Sequence, residues 1–214
     1  MYKTVVFDLD GTLLNTLTDL ADRLCRKYGW PTHERQAYRY FVGNGIPKLV
    51  ERLAPADQRT PAVLEAALAD FKRDYGQHLR DTTAPYPGIP EMLAKLKANG
   101  VQLAVFSNKA DALAKEVVKD YFGTQYFTIV RGQMTGVAPK PAAEGTNALL
   151  QALHADPAST LYVGDSNVDV ETAHNANLPC CGAVWGFRTR EELNAAGAEY
   201  LAENSDELYD VIMK

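Results

Sequence analysis

A short apolar stretch that ends in two aspartates constrains the fold of this 214-residue chain more than any other feature. Val5–Phe7 is too short and too rich in β-branched residues for a helix, so it predicts a buried strand. Asp8 and Asp10 follow it, separated by one leucine, and in an extended backbone both carboxylates point to one side. Gly11 then lets the chain turn away with its backbone close to a ligand. Because two like charges this close repel each other, the stretch favours a bound cation or a raised pKa on one aspartate.

In the second part of the chain, apolar strand patterns alternate with helical patterns. The predicted strands are Val101–Phe106, Tyr126–Val130, Thr160–Val163 and Cys181–Val184, with a short extended piece at Glu199–Leu201. The predicted helices are Glu91–Asn99, Ala110–Asp120, Ala142–Leu153, Val168–Ala176, Thr189–Ala195 and Ser205–Met213. Each parallel strand pairing needs a crossover. The alternation therefore predicts an α/β fold, a Rossmann-like parallel sheet with helices on both faces.

Residues 16–82 differ from the rest of the chain because their apolar residues recur with helical spacing only. Prolines and glycines divide this region into successive helices. The segment 82–90, which contains three prolines and a glycine, predicts the connection back to the first domain. We therefore predict an α/β core made of residues 1–15 and 83–214, which carries an inserted α-helical domain at residues 16–82.

Composition excludes several classes of function. The net charge of −5 gives no support to nucleic-acid binding, which requires a basic face. No apolar run approaches the length of a membrane-spanning helix, and the first strand begins too early to leave room for a signal peptide. The three cysteines lack CxxC spacing, which favours reduced thiols in a cytoplasmic protein over a disulfide framework or a zinc site.

Chemically active side chains recur just past the predicted strands or in loops. Because parallel strands end at one edge of a sheet, groups that follow different strands can converge there. Oxygen ligands of this kind suit Mg²⁺, which is often shared with a substrate phosphate, while a hydroxyl and an ammonium suit the remaining phosphoryl oxygens. The four clusters are Asp8, Asp10 and Thr12; Ser107–Asn108; Lys140; and Gly164–Asp169, which includes Asp165 and Asp169.

In order and spacing, these four clusters resemble the motifs of the haloacid-dehalogenase superfamily, and the helical insert resembles its cap domain. Further segments are most similar to the phosphoglycolate phosphatase branch: Tyr86–Gly88, Lys140–Pro141, Val163–Ser166 and Trp185–Phe187. The chain departs from close relatives at Ala176–Leu178 and at Ala142–Glu144, and neither departure touches the predicted chemistry.

The resemblance implies a Mg²⁺-dependent phosphomonoesterase that forms an aspartyl-phosphate intermediate. Asp8 is then the nucleophile, and Asp10 is general acid to the leaving alcohol and general base on the water. Asp10 also argues against a dehalogenase, which needs no proton donor to an alkoxide. The implied Mg²⁺ ligands are Asp8, the backbone carbonyl of Asp10, Asp165, and Asp169 as a further ligand or a support. The implied phosphate-binding groups are Thr12, Ser107, the backbone N–H of Asn108, and Lys140.

The predicted helical domain contains a candidate substrate-binding segment. Gly43, Asn44 and Gly45 form a glycine-rich turn before a predicted helix that carries Lys48, a place suited to an anion. The segment resembles the stretch that faces the active site in phosphoglycolate phosphatases, where it would meet the substrate's carboxylate.

Several alternatives stay open at this point. Asp165 or Ser107 could cap a helix without any other role, Asp169 is favourable in a first helical turn anyway, and Lys140 could be a solvated loop residue. The expected partner is a small phosphate ester, with 2-phosphoglycolate the first substrate to test, and the protein is expected to be a monomer or a homodimer. A sugar-phosphate phosphatase, a pyrophosphatase, a phosphoglucomutase-like enzyme or a non-catalytic phospho-ligand-binding module would fit the same motifs.

Overall fold

The computed structural model describes residues 1–16, 19–33, 35–41, 46–78 and 83–214. The chain forms two compact units. Met1–Asn15 and Pro85–Lys214 make up the first, which we call the α/β unit, and Thr16–Ala84 make up the second, which we call the helical unit. No helix in the described ranges is long and apolar enough to cross a membrane.

The secondary-structure elements follow in chain order. The strands are β1 (Thr4–Phe7), β2 (Leu14–Asn15), β3 (Ala84–Pro85), β4 (Gln102–Ala110), β5 (Phe127–Gln133), β6 (Thr160–Gly164), β7 (Cys180–Ala183) and β8 (Tyr200–Ala202). The α-helices are α1 (Asp19–Tyr28), α2 (Arg35–Phe41), α3 (Ile46–Leu53), α4 (Pro61–His78), α5 (Ile89–Ala98), α6 (Asp111–Phe122), α7 (Ala143–Leu153), α8 (Asn167–Asn175), α9 (Arg190–Ala196) and α10 (Ser205–Met213). Short 3-10 turns lie at Ala56–Gln58 and Pro157–Ser159.

The α/β unit is built on a six-stranded sheet with the order β5-β4-β1-β6-β7-β8. Its neighbouring strands pair in parallel throughout. β1 lies near the middle, where Phe7 pairs with Val105 of β4 on one side and with Val163 of β6 on the other. The predicted parallel α/β fold is therefore confirmed.

The sheet is apolar because its central strands have no exposed face. Val5, Val6 and Phe7 are fully buried, as parallel strands covered on both sides must be. On one face Val6 belongs to a core cluster with Leu149 of α7 and Val170 of α8. Burying each such side chain contributes about 1.5–3 kcal/mol, so the strand that carries the two aspartates is anchored firmly.

The helical unit has an interior of its own. α4 packs against α1 and α3, and α2 packs against α3. Leu24, Leu53 and Phe71 are buried among these helices. The hydroxyl of Tyr28 at the end of α1 also donates to Asp70 of α4 over 2.9 Å.

One strand boundary differs from the prediction in a way that matters for the site. The predicted strand ends at Phe106, whereas β4 continues to Ala110 and includes Ser107 and Asn108. Between its pairings with Arg131 and Gln133 of β5, the strand register shifts, so the polar residues that suggest a loop lie in an irregular part of the strand. Bulges of this kind redirect side chains beside active sites.

Candidate active site

Three buried carboxylates meet at the carboxyl edge of the sheet. Asp8 follows β1, Asp165 follows β6, and Asp169 lies in the first turn of α8. One carboxylate oxygen from each lies within 4.8 Å of the others. Parallel pairing produces this convergence, since β1 and β6 end side by side and Asp8 N donates to the carbonyl of Val163 over 2.8 Å.

Lys140 is the cation of this cluster. Its Nζ lies 2.7 Å from Asp8 Oδ1 and 2.7 Å from Asp169 Oδ1, and it also donates to the hydroxyl of Tyr162 over 3.3 Å. The Tyr162 hydroxyl donates in turn to the carbonyl of Phe106 over 3.4 Å. The lysine is therefore not the solvated loop residue that the sequence left open, and Tyr162 is a contact that the sequence analysis did not identify.

The side chain of Asn108 fixes the backbone of Lys140. Asn108 Oδ1 accepts from Lys140 N over 2.8 Å, and Asn108 Nδ2 donates to Lys140 O over 3.3 Å. The peptide bond that follows, between Lys140 and Pro141, is cis. The amide thus links the irregular part of β4 to the loop before α7, in addition to the predicted phosphate contact of its backbone N–H.

Charge crowding in the cluster shows in the pKa values of its members. Burial raises the pKa of Asp8 to about 7, Lys140 opposes that rise, and Asp169 adds to it. Burial and the charges of Asp169 and Asp8 raise the pKa of Asp165 well above its usual value. Burial alone would lower the pKa of Lys140, but the two carboxylates beside it raise that pKa well above its usual range. One ammonium thus offsets only part of the negative charge of three carboxylates.

Asp165 is oriented from both sides. Its Oδ1 accepts from the Thr12 hydroxyl over 3.1 Å, and its Oδ2 accepts from the backbone N–H of Phe187 over 2.7 Å. Trp185 Nε1 donates to the carbonyl of Thr12 over 3.0 Å, so the loop after β7 holds both residues. The Thr12 hydroxyl, predicted to bind phosphate, is fully buried and contacts Asp165 instead of an open site. Its contact with phosphate stays a prediction.

Two glycines leave the space that Asp165 occupies. Gly11 has φ +93°, and a Cβ there would lie 2.3 Å from Asp165 Oδ2. A Cβ on Gly186 would lie 2.2 Å from Asp165 Cβ and 2.6 Å from the carbonyl of Gly11. Real side chains cannot approach so closely, so both positions require glycine for Asp165 to keep its orientation.

Asp169 has contacts on both of its carboxylate oxygens. Oδ1 accepts from Lys140, while Oδ2 accepts from Ser166 N over 3.1 Å and from Ser166 Oγ over 2.6 Å. The same residue therefore caps the start of α8 and holds the lysine. The role of Asp169 as a direct ligand or as a support, which the resemblance left open, stays a prediction.

The carboxylate of Asp10 lies outside the group of three and has a different partner. Lys109 Nζ lies 2.8 Å from Asp10 Oδ1 and 3.0 Å from Asp10 Oδ2. Ser107, which is buried, accepts from Lys109 N through its Oγ over 3.3 Å. Lys109 is not among the predicted site residues, because a lysine after Ser–Asn at the end of a predicted strand is typical of a solvated turn. Its position two residues after Ser107 was the available signal.

Comparison with known proteins identifies the fold family. A model of haloacid dehalogenase-like hydrolases matches residues 5–183. The chain belongs to this family. The family resemblance predicted from the four motifs is confirmed, and so is the prediction that the chain is an enzyme, since this is a family of hydrolases.

Relatives within the haloacid dehalogenase-like family match nearly the whole chain. A phosphoglycolate phosphatase of Vibrio parahaemolyticus is 28% identical over 98% of this chain and 96% of its own. A phosphoglycolate phosphatase of Pseudomonas putida is 32% identical over 90% of this chain and 73% of its own. The crystal structure of a candidate phosphoglycolate phosphatase from Lactobacillus delbrueckii subsp. bulgaricus has a TM-score of 0.91 at 28% identity, over 99% of this chain and 98% of that one.

The donor set fits the divalent cation expected in a haloacid dehalogenase-like hydrolase. Its ligand atoms are carboxylate oxygens, and the buried carboxylates of Asp8 and Asp165 bring more negative charge into the site than Lys140 can balance. A hard cation such as Mg²⁺ suits such donors, whereas a soft metal would favour sulfur or imidazole ligands. The backbone carbonyl of Asp10, the remaining predicted ligand, stays a prediction.

The predicted substrate-binding segment is described only in part. Gly43, Asn44 and Gly45 lie outside the described residues. Lys48 lies in α3, where its Nζ forms an exposed ion pair with Glu51 over 2.7 Å. Its predicted contact with a substrate anion stays a prediction.

Proposed function

We propose that the protein is a Mg²⁺-dependent phosphomonoesterase that transfers a phosphoryl group from a small organic phosphate to Asp8 and then to water. The observation that carries this proposal is the contact between Asp8 and Lys140 beside Asp165, all three buried at the carboxyl edge of the sheet. A buried nucleophile that is already paired with a cation can approach an anionic ester with less repulsion than a free carboxylate.

The chain's own residues divide the first step between them. A carboxylate oxygen of Asp8 attacks phosphorus, the bond from phosphorus to the ester oxygen breaks, and Asp10 gives its proton to the departing alkoxide. Lys140, Ser107 and the backbone N–H of Asn108 hold the phosphoryl oxygens. When bound by Asp8, Asp165 and the carbonyl of Asp10, Mg²⁺ supplies positive charge that offsets the repulsion between carboxylate and phosphate.

The second step returns the enzyme to its starting state. Asp10, now ionised, takes a proton from a water molecule that attacks the phosphorus of phosphorylated Asp8. The bond between phosphorus and the Asp8 oxygen breaks, and inorganic phosphate leaves. Asp10 thus alternates between acid and base, as general acid–base catalysis on an ester requires.

2-Phosphoglycolate is the first substrate we propose. Phosphoglycolate phosphatases are among the relatives that match most of this chain. In this proposal residues 16–82 act as a cap, and Gly43–Gly45 with Lys48 meet the substrate's carboxylate. Closure of such a cap would exclude bulk water from the phosphoryl transfer.

A panel of phosphate esters tests the activity and its range. We expect the purified protein to hydrolyse p-nitrophenyl phosphate and 2-phosphoglycolate with Mg²⁺, and to lose both activities in excess EDTA. Sugar phosphates and pyrophosphate in the same panel test the other phosphatase activities. Rapid phosphate release argues against a mutase. Binding of phosphate esters without turnover at any pH would contradict the proposal and favour a binding module.

Two substitutions test the assigned roles of the aspartates. Asp8→Asn removes the nucleophile and is expected to reduce kcat by at least about 10³-fold, with an unchanged circular dichroism spectrum. Asp10→Asn is expected to slow the second step, so that phosphorylated Asp8 accumulates and is detected by intact-protein mass spectrometry after an acid quench. Wild-type turnover by either variant would contradict its assigned role.

A further inference from the structure

Lys109 is a second buried lysine in the site, and its chemistry is not used in the reaction described above. Its side chain is 2% exposed, whereas that of its partner Asp10 is 27% exposed. One ammonium contacts both carboxylate oxygens, at 2.8 and 3.0 Å. Such two-point contact fixes the rotamer of a short side chain that one hydrogen bond would leave free to rotate.

The backbone around Lys109 is shaped to bring this lysine to Asp10. Phe106 pairs with Arg131 and Ala110 pairs with Gln133, so four residue steps along β4 correspond to two along β5. β4 thus has two extra residues here: the three residues Ser107–Lys109 lie between pairings that are separated by one residue in β5, and Lys109 N donates to Ser107 Oγ. The same bulge therefore places a predicted phosphate-binding hydroxyl and the partner of the predicted acid.

An apolar residue at position 109 would be less costly for folding alone. Removing an ammonium from water carries a large desolvation cost, which the attraction to a partner charge offsets only when the geometry is good. Proteins in which apolar residues replace a buried ion pair are therefore often as stable or more stable. Lys140 carries the same cost beside Asp8 and Asp169. The two lysines thus divide the carboxylates, one beside the nucleophile and the other beside the acid–base residue.

We infer that Lys109 is a positioning residue for Asp10, which holds the acid–base carboxylate facing the ester oxygen that departs. The inference rests on the proposed phosphomonoesterase function. A general acid must lie within hydrogen-bond reach of the oxygen that it protonates, so loss of its orientation removes the proton transfer without removing the nucleophile.

Leaving-group dependence distinguishes this role from a structural one. An alkoxide needs a proton as it leaves, whereas p-nitrophenolate is stable without one. Because kcat/KM reports the steps up to and including cleavage of the ester bond, we would compare Lys109→Met with wild type on 2-phosphoglycolate and p-nitrophenyl phosphate. We expect about a 100-fold loss for the alkyl ester, the size of a general-acid contribution, and less than about a 5-fold loss for p-nitrophenyl phosphate.

Matched variants complete the test. Lys109→Arg keeps a cation that can contact both oxygens and is expected to recover part of the alkyl-ester activity. Lys115→Met removes an exposed lysine that pairs with Asp111 within α6, and should match wild type on both esters. Asp10→Asn should show the same selective loss, and the Asp10→Asn/Lys109→Met double variant should be no worse than Asp10→Asn, because coupled residues are not additive.

The outcomes distinguish a failure of the proposed function from a failure of the role assigned to Lys109. A wild-type protein that hydrolyses neither ester with Mg²⁺ contradicts the proposed function. An active wild type whose Lys109→Met variant loses both activities by the same factor contradicts the role of Lys109 and leaves the function intact. If Lys109→Met does not fold, Lys109→Gln, which is polar but uncharged and has a side chain one bond shorter, is compared on the same two esters with the same criterion.

Discussion

At the scale of single residues, the site is defined by negative charge in a place that has little exposure to solvent. Asp165 and Asp169 are each 1% exposed, and Asp8 is 7% exposed. Burying an isolated carboxylate costs free energy, so positive charge, rather than solvent, must offset the cost of burying three of them here. Lys140 supplies one positive charge, and the proposed Mg²⁺ would supply the rest.

This charge balance predicts that Mg²⁺ stabilises the protein more strongly as pH rises. Burial raises the pKa of Asp8 to about 7, so without metal the folded chain binds protons more tightly than the unfolded chain. The stabilisation from that proton is full below the usual pKa of about 4 and is lost as pH rises towards 7. Mg²⁺ competes with the proton, so its effect on thermal unfolding should be larger at about pH 8 than at about pH 5.5.

The size of the effect and its control follow from the same site. At a hundredfold excess of Mg²⁺ over its Kd, binding adds about 2.7 kcal/mol to the free energy of unfolding. Asp165→Asn should lose most of this shift at about pH 8, whereas Asp206→Asn, on the exposed first turn of α10, should keep it. Equal shifts in wild type and Asp165→Asn would place the ion elsewhere.

At the scale of elements, the start of α8 joins a helix cap to the site. Ser166 donates through N and Oγ to Asp169, and the other oxygen of Asp169 holds Lys140. The start of α9 has a similar capping arrangement, in which the Thr189 hydroxyl accepts from Glu192 N, with no catalytic group attached. Substitutions at these two helix starts therefore distinguish an effect on stability from an effect on catalysis.

We expect Ser166→Ala and Thr189→Ala to cost similar stability and to differ in activity. Each removes one capping side chain, which is worth about 1 kcal/mol in urea unfolding. Thr189→Ala should keep the wild-type kcat. Ser166→Ala should reduce kcat by about 10-fold, because Asp169 loses the shorter of the two hydrogen bonds that fix its contact with Lys140. Equal kcat values for the two variants would show that the hydrogen bond from Ser166 to Asp169 does not help to position Lys140.

The sequence predicted the elements well where a single physical cause dominates. The apolar run Val5–Phe7 is typical of a strand that is buried on both faces of a parallel sheet, and the structure has it there. Parallel strands also end at one edge, which explains why Asp8 and Asp165 were predicted to converge and do lie together. The extension of β4 past Phe106 was missed, because its polar residues are typical of a loop and the bulge depends on pairing with β5.

Contacts between distant side chains were beyond a reading of the sequence. Nothing local indicates that Lys109 reaches Asp10, that Thr12 faces Asp165, or that the Phe187 N–H completes its orientation. Each depends on how loops from different strands pack at the sheet edge. Residue type predicts the chemistry that is available there, whereas the pairing of groups needs the three-dimensional arrangement.

At the scale of the whole molecule, the chain is two compact units, one with a single buried thiol and the other with two. Cys25 lies in the helical unit, and Cys180 and Cys181 lie in the α/β unit. Burial raises the pKa of Cys25 to about 11 and that of Cys181 to about 12, and it raises the pKa of Cys180 well above its usual value. None of the three should react with iodoacetamide while its unit is folded, because the thiolate is the reactive species.

Thiol labelling at increasing urea concentration should therefore report the unfolding of each unit separately. The helical unit is the smaller. Because smaller domains bury a smaller fraction of their surface on folding, Cys25 should be alkylated at a lower urea concentration than Cys180 and Cys181. Because the proposed ion binds in the α/β unit, Mg²⁺ should raise the concentration needed to label Cys180 and Cys181 and leave that for Cys25 unchanged. Peptide mass spectrometry distinguishes the sites. Simultaneous labelling of all three thiols, shifted together by Mg²⁺, would show instead that the two units unfold as one cooperative molecule.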